Sequence, residues 1–291
     1  MKPAPFDYHA PGTAAEAVAL LAELGEETKV LAGGQSLIPM LALRLTAFDH
    51  LVDVGRIDEM KGFALRDGAL WVGAGTTQSE IEASAEVVSA VPLLAKATPL
   101  IGHFQIRSRG TLGGSIAHAD PAAEYPAVAL ALDASMEVLS PQGRRTLASR
   151  DFFEGLWSTS MEPTDLLVGV SFPTWSGRCG FAVEEFALRH GDFAIAGAVL
   201  GIELDDDDRI QRCGIALIGL GSTPERPTAV EAELCGRPIT DVDPLEIGDL
   251  AVSGLTSVPS DLHGSAVYRR RVGAAMVAQA WNAASTEARD G

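Results

Sequence analysis

The chain has 291 residues, of which 47% are hydrophobic and 21% charged, and its formal net charge is −17. That length and apolar content allow a large buried core in two or three subdomains. A strongly acidic chain repels nucleic acid and anionic membranes, so we expect neither as a partner. No apolar run approaches the roughly 18 residues that a membrane-spanning helix needs, and we expect no membrane insertion.

The cysteines bear on metal sites and on location. Cys179, Cys213 and Cys235 are widely spaced and form no CxxC pair, so we expect no iron–sulfur cluster, structural zinc or disulfide framework in this chain. The first six residues contain no apolar stretch of the kind that a secretory signal carries. We therefore expect a cytoplasmic protein.

Residues 1–55 are predicted to form a small α/β unit. A capping box at Thr13 and Glu16 begins an amphipathic helix, and Gly25 ends it. A short apolar strand over 29–32 then leads into a Gly-Gly turn, and a strand over 51–54 closes the unit.

Residues 56–175 are predicted to form a second α/β unit. Asp67-Gly68 between two apolar runs is a strong hairpin signal, and Pro141-Gln142-Gly143 indicates another hairpin. The pattern predicts helices over 78–85, 90–97 and 124–132, a second glycine turn over 110–115, and a last strand over 166–172.

Residues 176–291 have a different pattern. Long strand-like runs over 181–188, 194–204 and 210–220, two of them joined by an acidic turn at 205–208, predict an antiparallel sheet. Helices are predicted over 228–234 and 265–284.

Two glycine pairs carry the clearest chemical signal. Gly33-Gly34 and Gly113-Gly114 lie about 80 residues apart, and a serine follows each pair. Adjacent glycines let backbone N–H groups converge on an anion, because no Cβ blocks a close approach. Two such turns suit a ligand with two linked phosphates. The alternative is that each pair only forms a tight turn.

Motifs of other chemistries do not fit. No G-x-G-x-x-G follows a predicted strand, and there is no P-loop sequence. Ser36 lacks the closing glycine of a nucleophile elbow, and the six histidines show no ligand spacing. We predict neither a catalytic residue nor a metal site in this chain.

Four motifs in order suggest a family. They are LAGGQSLIP at 31–39, RGTLGGSIAHADP at 109–121, RHGDFA at 189–194 and GLGSTP at 219–224. Together they closely resemble the FAD-binding medium subunit of the carbon monoxide dehydrogenase/xanthine dehydrogenase (molybdenum hydroxylase) family. The resemblance covers residues 6 to about 284.

The resemblance implies a fold and a cofactor. The fold is α+β, a vanillyl-alcohol-oxidase (PCMH)-type FAD-binding fold of two α/β subdomains plus a C-terminal antiparallel-sheet and helix domain. One FAD is implied, with its diphosphate between the two glycine segments. The implied contacts in the first segment are Lys29, Val30, Leu31, Ala32, Gly33, Gly34, Gln35 and Ser36. Those in the second segment are Thr111, Gly113, Gly114 and Ser115.

Further FAD contacts are implied at Ile101, Asp120, Glu124 and Leu167. Glu124 matches an acidic residue that hydrogen-bonds the ribityl chain, and it also suits a helix N-terminus. Leu167 matches a position where the backbone approaches the isoalloxazine ring, with a plain core residue as the alternative. Asp120 is either a turn former or an FAD contact. Glu185 is a departure, because many relatives have lysine there, and a carboxylate would not stabilise a reduced anionic flavin.

The resemblance also implies a function. Substrate, a heteroaromatic, an aldehyde or a similar small molecule, is hydroxylated at a molybdenum–pterin cofactor in a large partner subunit. Electrons pass through two [2Fe–2S] clusters of a small partner subunit to the FAD and then to an external acceptor. The expected assembly is a dimer of heterotrimers. The alternatives are a self-contained FAD-dependent reductase or oxidase of the same fold, and a scaffold subunit whose FAD is structural or lost.

Overall fold

Three larger β-sheets and a two-stranded one, with helices packed on them, organise residues 2–291, the part of the chain that the computed structural model describes. This arrangement confirms the predicted α+β class. Within residues 2–291, no helix is both long and apolar enough to cross a membrane.

The first sheet is parallel and has the strand order β1-β3-β2. Its strands are β1 (Asp7–His9), β2 (Thr28–Leu31) and β3 (His50–Asp53), and its helices are α1 (Ala14–Leu24) and α2 (Leu37–Ala42). The Thr13 hydroxyl caps α1 as predicted, but the Glu16 carboxylate accepts from Gly12 N–H rather than completing a capping box. Strand β1 and helix α2 were not predicted.

The second sheet is antiparallel and has the order β4-β5-β10-β6-β7. Both predicted hairpins are present in it. Its strands are β4 (Phe63–Arg66), β5 (Ala69–Gly73), β6 (Ser135–Ser140), β7 (Gly143–Ala148) and β10 (Leu166–Pro173). A small hairpin of β8 (Phe153–Gly155) and β9 (Ser158–Thr159) precedes β10.

Six short helices lie between β5 and β6. They are α3 (Gln78–Glu82), α4 (Ala85–Ala90), α5 (Pro92–Ala97), α6 (Phe104–Arg107), α7 (Leu112–His118) and α8 (Glu124–Ala131). The helix predicted over 90–97 begins only at Pro92, because Val91 is not helical. The prediction of a second glycine turn was wrong: Gly113, Gly114 and Ser115 lie in the first turn of α7, with Thr111 as its N-cap.

The C-terminal part has the predicted antiparallel sheet. Strands β11 (Arg178–Phe186), β12 (Ala196–Leu204) and β13 (Ile210–Ile218) pair in that order. Its helices are α9 (Thr228–Leu234), α10 (Pro244–Ser253) and α11 (Ala266–Asp290). Helix α10 was not predicted, and α11 extends six residues beyond the predicted end at 284.

Two hydrophobic clusters form the core. The first joins α1 to the second sheet and to α5 and α8, and it also includes Val199 and Ala216 from the C-terminal sheet. The second lies between that sheet and the C-terminal helices. The division into subdomains at residues 55 and 175 remains a prediction. Side chains from both sides of each boundary pack together in the first cluster.

Candidate functional site

The two glycine segments, residues 32–36 and 109–115, meet in space. A Cβ on Gly33 would overlap the carbonyl oxygen of Arg109 and lie 2.8 Å from Gly110 Cα. A Cβ on Gly114 would lie 3.5 Å from Ala32 Cβ. Residues about 80 positions apart thus pack backbone against backbone, and this contact requires glycine at position 33.

The first glycine segment offers free hydrogen-bond donors. Among the described residues, no protein group accepts a hydrogen bond from the backbone N–H groups of Gly33, Gly34, Gln35 or Ser36. Gly34 has φ +74°, a left-handed conformation that glycine adopts without strain. Consecutive unpaired N–H groups around such a residue form the kind of concave site that binds anions.

The second glycine segment is different, because the backbone N–H groups that begin α7 already donate to protein acceptors. Gly113 N–H donates to Ala74 O at 2.8 Å, Gly114 N–H to Thr111 Oγ1 at 3.0 Å, and Ser115 N–H to Thr111 O at 3.1 Å. A Cβ on Gly113 would overlap Ala74, so this glycine is needed for packing. The second segment therefore contributes its close backbone contact with the first segment and the positive end of the α7 helix dipole.

Two carboxyl groups follow the second segment in the chain, one on a buried residue, Glu124, and one on a half-buried residue, Glu185. Glu124 begins α8 and is 7% exposed. Burial, and next the charge of Glu185, raise the pKa of Glu124 to about 8. Burial raises the pKa of Glu185 to about 7, and its Oε2 atom is buried with no hydrogen-bond partner among residues 2–291. Glu185 therefore has one carboxyl oxygen that no described protein group satisfies.

The structure shows the environment of the three other residues that were predicted to contact FAD. Asp120 forms a turn: its Oδ1 accepts from Ala122 N–H at 2.9 Å, and its Oδ2 accepts from the Trp157 indole at 3.2 Å. Leu167 is buried in β10 as part of the first cluster. Ile101 is half-buried and follows a single helical turn.

Sequence reasoning missed Gln78, which lies beside Gly110, and Trp157, which lies beside His118 and Asp120. Gln78 Oε1 is buried without a partner and occupies the space that a Cβ on Gly110 would need. Trp157 stacks on His118 with ring centroids 6.0 Å apart, and burial lowers the pKa of His118. No local pattern marks either residue, because both reach the site through tertiary contacts.

Comparisons with known proteins decide the family. Residues 4–175 match the FAD-binding domain of molybdopterin dehydrogenases, and residues 181–284 match the C-terminal domain of CO dehydrogenase flavoproteins. The chain belongs to the molybdenum hydroxylase flavoprotein family. This result confirms the predicted family and the PCMH-type FAD-binding fold.

Relatives of this flavoprotein match along almost its whole length. The alpha subunit of the 6-hydroxypseudooxynicotine dehydrogenase complex of Paenarthrobacter nicotinovorans is 39% identical, covering 95% of this chain and 93% of the relative. The beta subunit of caffeine dehydrogenase from a Pseudomonas species is 37% identical, covering 96% and 95%. A solved structure of carbon monoxide dehydrogenase from Hydrogenophaga pseudoflava has a chain with TM-score 0.95 and 36% identity, covering 99% of each chain.

The flavoprotein site fits FAD. The first glycine segment supplies unpaired N–H groups for a diphosphate, and the glycine contact keeps the second segment close. Glu185 and Gln78 each have a buried polar atom that lacks a partner in the described part of the chain. Bound FAD takes up and gives up electrons, while the protein supplies position and electrostatics. The individual FAD contacts remain predictions.

Proposed function

We propose that this chain holds FAD between the [2Fe–2S] clusters of a small partner subunit and an external electron acceptor. A large partner subunit with a molybdenum–pterin cofactor would carry out the hydroxylation. The observation that carries the proposal is the contact between the two glycine segments, within a chain that matches both flavoprotein domains of the family.

The named relatives support a proposal for the substrate class. Two of them belong to dehydrogenases of 6-hydroxypseudooxynicotine and of caffeine, which contain nitrogen heteroaromatic rings. We propose a heteroaromatic, an aldehyde or a similar small substrate, bound in the large partner rather than in this chain.

An exposed apolar surface supports the expectation of partner subunits. Segments 103–106 and 188–193 are neighbours, since the His103 and His190 rings lie 5.7 Å apart. On these segments Phe104, Leu188 and Phe193 are 69%, 62% and 65% exposed. Large apolar side chains grouped on a surface commonly mark protein interfaces. A dimer of heterotrimers is the proposed assembly.

The test is to express the chain alone and together with its two proposed partners. Heteroaromatic and aldehyde oxidation are then assayed with a dye acceptor. We expect activity only from the complex, with the flavin absorbance bleached by substrate. The isolated chain should bind FAD, be reduced by artificial donors, and turn over no organic substrate. Substrate turnover by the isolated chain would overturn the subunit proposal and favour a self-contained reductase or oxidase.

A further inference from the structure

The hairpin of β8 and β9 carries an aromatic residue at its tip in an unusual conformation. Trp157 lies in the short connection between the two strands, has φ +56° and is 53% exposed. A bulky residue in the left-handed region is uncommon, because its Cβ comes too close to its own backbone. An exposed position that keeps such a residue indicates a use for the indole other than packing in the core.

Two contacts hold the Trp157 indole in place. Its ring is nearly parallel to the His118 imidazole, with an interplanar angle of 9° and ring centroids 6.0 Å apart. Its N–H donates to Asp120 Oδ2 at 3.2 Å. Burial lowers the pKa of His118, and the nearby charge of Lys29 acts in the same direction, so the imidazole is neutral at neutral pH. The indole is thus fixed on one side, while more than half of the residue remains exposed.

This cluster lies next to the segments that are expected to hold FAD. His118 ends α7, whose first turn contains Gly113 and Gly114, and the seven residues of α7 span roughly 10 Å. Lys29 is in β2, which leads into the first glycine segment. FAD carries an aromatic ring system on each side of its diphosphate. With the diphosphate between the glycine segments, one of these rings can extend along α7 toward Trp157.

Flat aromatic rings stack favourably on an indole, and the gain is larger when the indole is already fixed in place. We propose that the Trp157 indole stacks on one of the two aromatic ring systems of bound FAD, the adenine or the isoalloxazine. The contacts with His118 and Asp120 hold the indole ready for this ring. The inference rests on the proposed function, since it takes the two glycine segments as the diphosphate site.

The experiment measures the FAD affinity of the full chain, freed of flavin, by isothermal titration calorimetry. Trp157→Asn removes the aromatic surface, and asparagine tolerates the left-handed backbone. Its FAD affinity should fall roughly 5- to 150-fold, the range found when a base loses its stacking on an aromatic side chain. Trp157→Phe keeps a ring and should retain most of the affinity. Leu156→Ala, at the neighbouring position of the tip and 56% exposed, is the matched control and should bind FAD like the wild-type chain.

Two further measurements separate stacking from a structural role and identify the ring. Urea unfolding of the FAD-free chain should show no loss of stability in Trp157→Asn, because the substitution relieves the left-handed strain. The fluorescence of bound flavin distinguishes the two rings. If the isoalloxazine is the partner, wild-type emission is quenched and recovers in Trp157→Asn. If the adenine is the partner, the two emissions agree while the affinity still falls.

Three results would overturn the stacking and leave the FAD site in place. The first is equal FAD affinity of Trp157→Asn and the wild-type chain. The second is a Trp157→Phe variant as weak as Trp157→Asn, which would assign the effect to the indole N–H. The third is a loss of affinity matched by an equal loss in the free energy of unfolding. A wild-type chain that binds no FAD would instead overturn the proposed function, and the stacking with it.

Discussion

Gly33→Ala should weaken the contact between the two glycine segments. The added methyl group would overlap the Arg109 carbonyl oxygen and lie 2.8 Å from Gly110 Cα, and both are backbone atoms that no side-chain rotation can move. Overpacking of this kind costs about 1–3 kcal/mol. Each 1.4 kcal/mol corresponds to a factor of about ten, so FAD affinity should fall roughly 5- to 150-fold if the bound state bears the cost.

The assay compares urea unfolding of the FAD-free chain with FAD titration by fluorescence. Gly254→Ala is the matched control, because Gly254 has φ −79° and no atom lies within 4 Å of its added Cβ. The control should bind FAD like the wild-type chain. If Gly33→Ala matched the control in both FAD affinity and free energy of unfolding, the two segments would not be packed as described.

Two further predictions concern the hydrogen bonds made by Arg226 and whether FAD is covalently bound. The Arg226 guanidinium donates to the Leu130 carbonyl and to the carboxylates of Asp133 and Glu231. Because Arg226→Met leaves these acceptors without their partner, it should lower the free energy of unfolding by about 3 kcal/mol. Arg178→Met, in a more exposed pair with Asp208, should cost less than about 1 kcal/mol in the same urea titration. We also predict that FAD is held without a covalent link, so acid precipitation should release all of the flavin into the supernatant; yellow colour in the pellet would contradict this.

The strands were largely predictable because their signals are local. Asp67-Gly68 between two apolar runs indicated one hairpin, and the long apolar runs beyond residue 178 indicated the C-terminal sheet. Strand β1 was missed because it has only three residues, DYH, with no apolar run. Helix α10 did carry a usable signal that was overlooked, an Asp243 cap followed by Pro244 in the first turn.

The second glycine segment shows where local propensity fails. Adjacent glycines are poor helix formers, so the sequence indicates a turn. In the structure, tertiary contacts outweigh that preference: Thr111 caps α7, and Gly113 packs against Ala74, where a larger residue would not fit. A sequence window around Gly113 contains no information about Ala74, which lies about 40 residues earlier.

The two glycine segments look equivalent in sequence but divide the binding of an anion between them. In the first, the N–H groups of residues 33–36 have no acceptor within residues 2–291, whereas the N–H groups that begin α7 donate to protein acceptors. Direct hydrogen bonds to a diphosphate should therefore come mainly from the first segment. The second segment fixes the position of the first through the Gly33–Arg109 contact and adds the helix dipole. Substitutions in the two segments should consequently differ in kind: those at Gly34 remove donor geometry, while those at Gly113 first disturb the packing that holds the segments together.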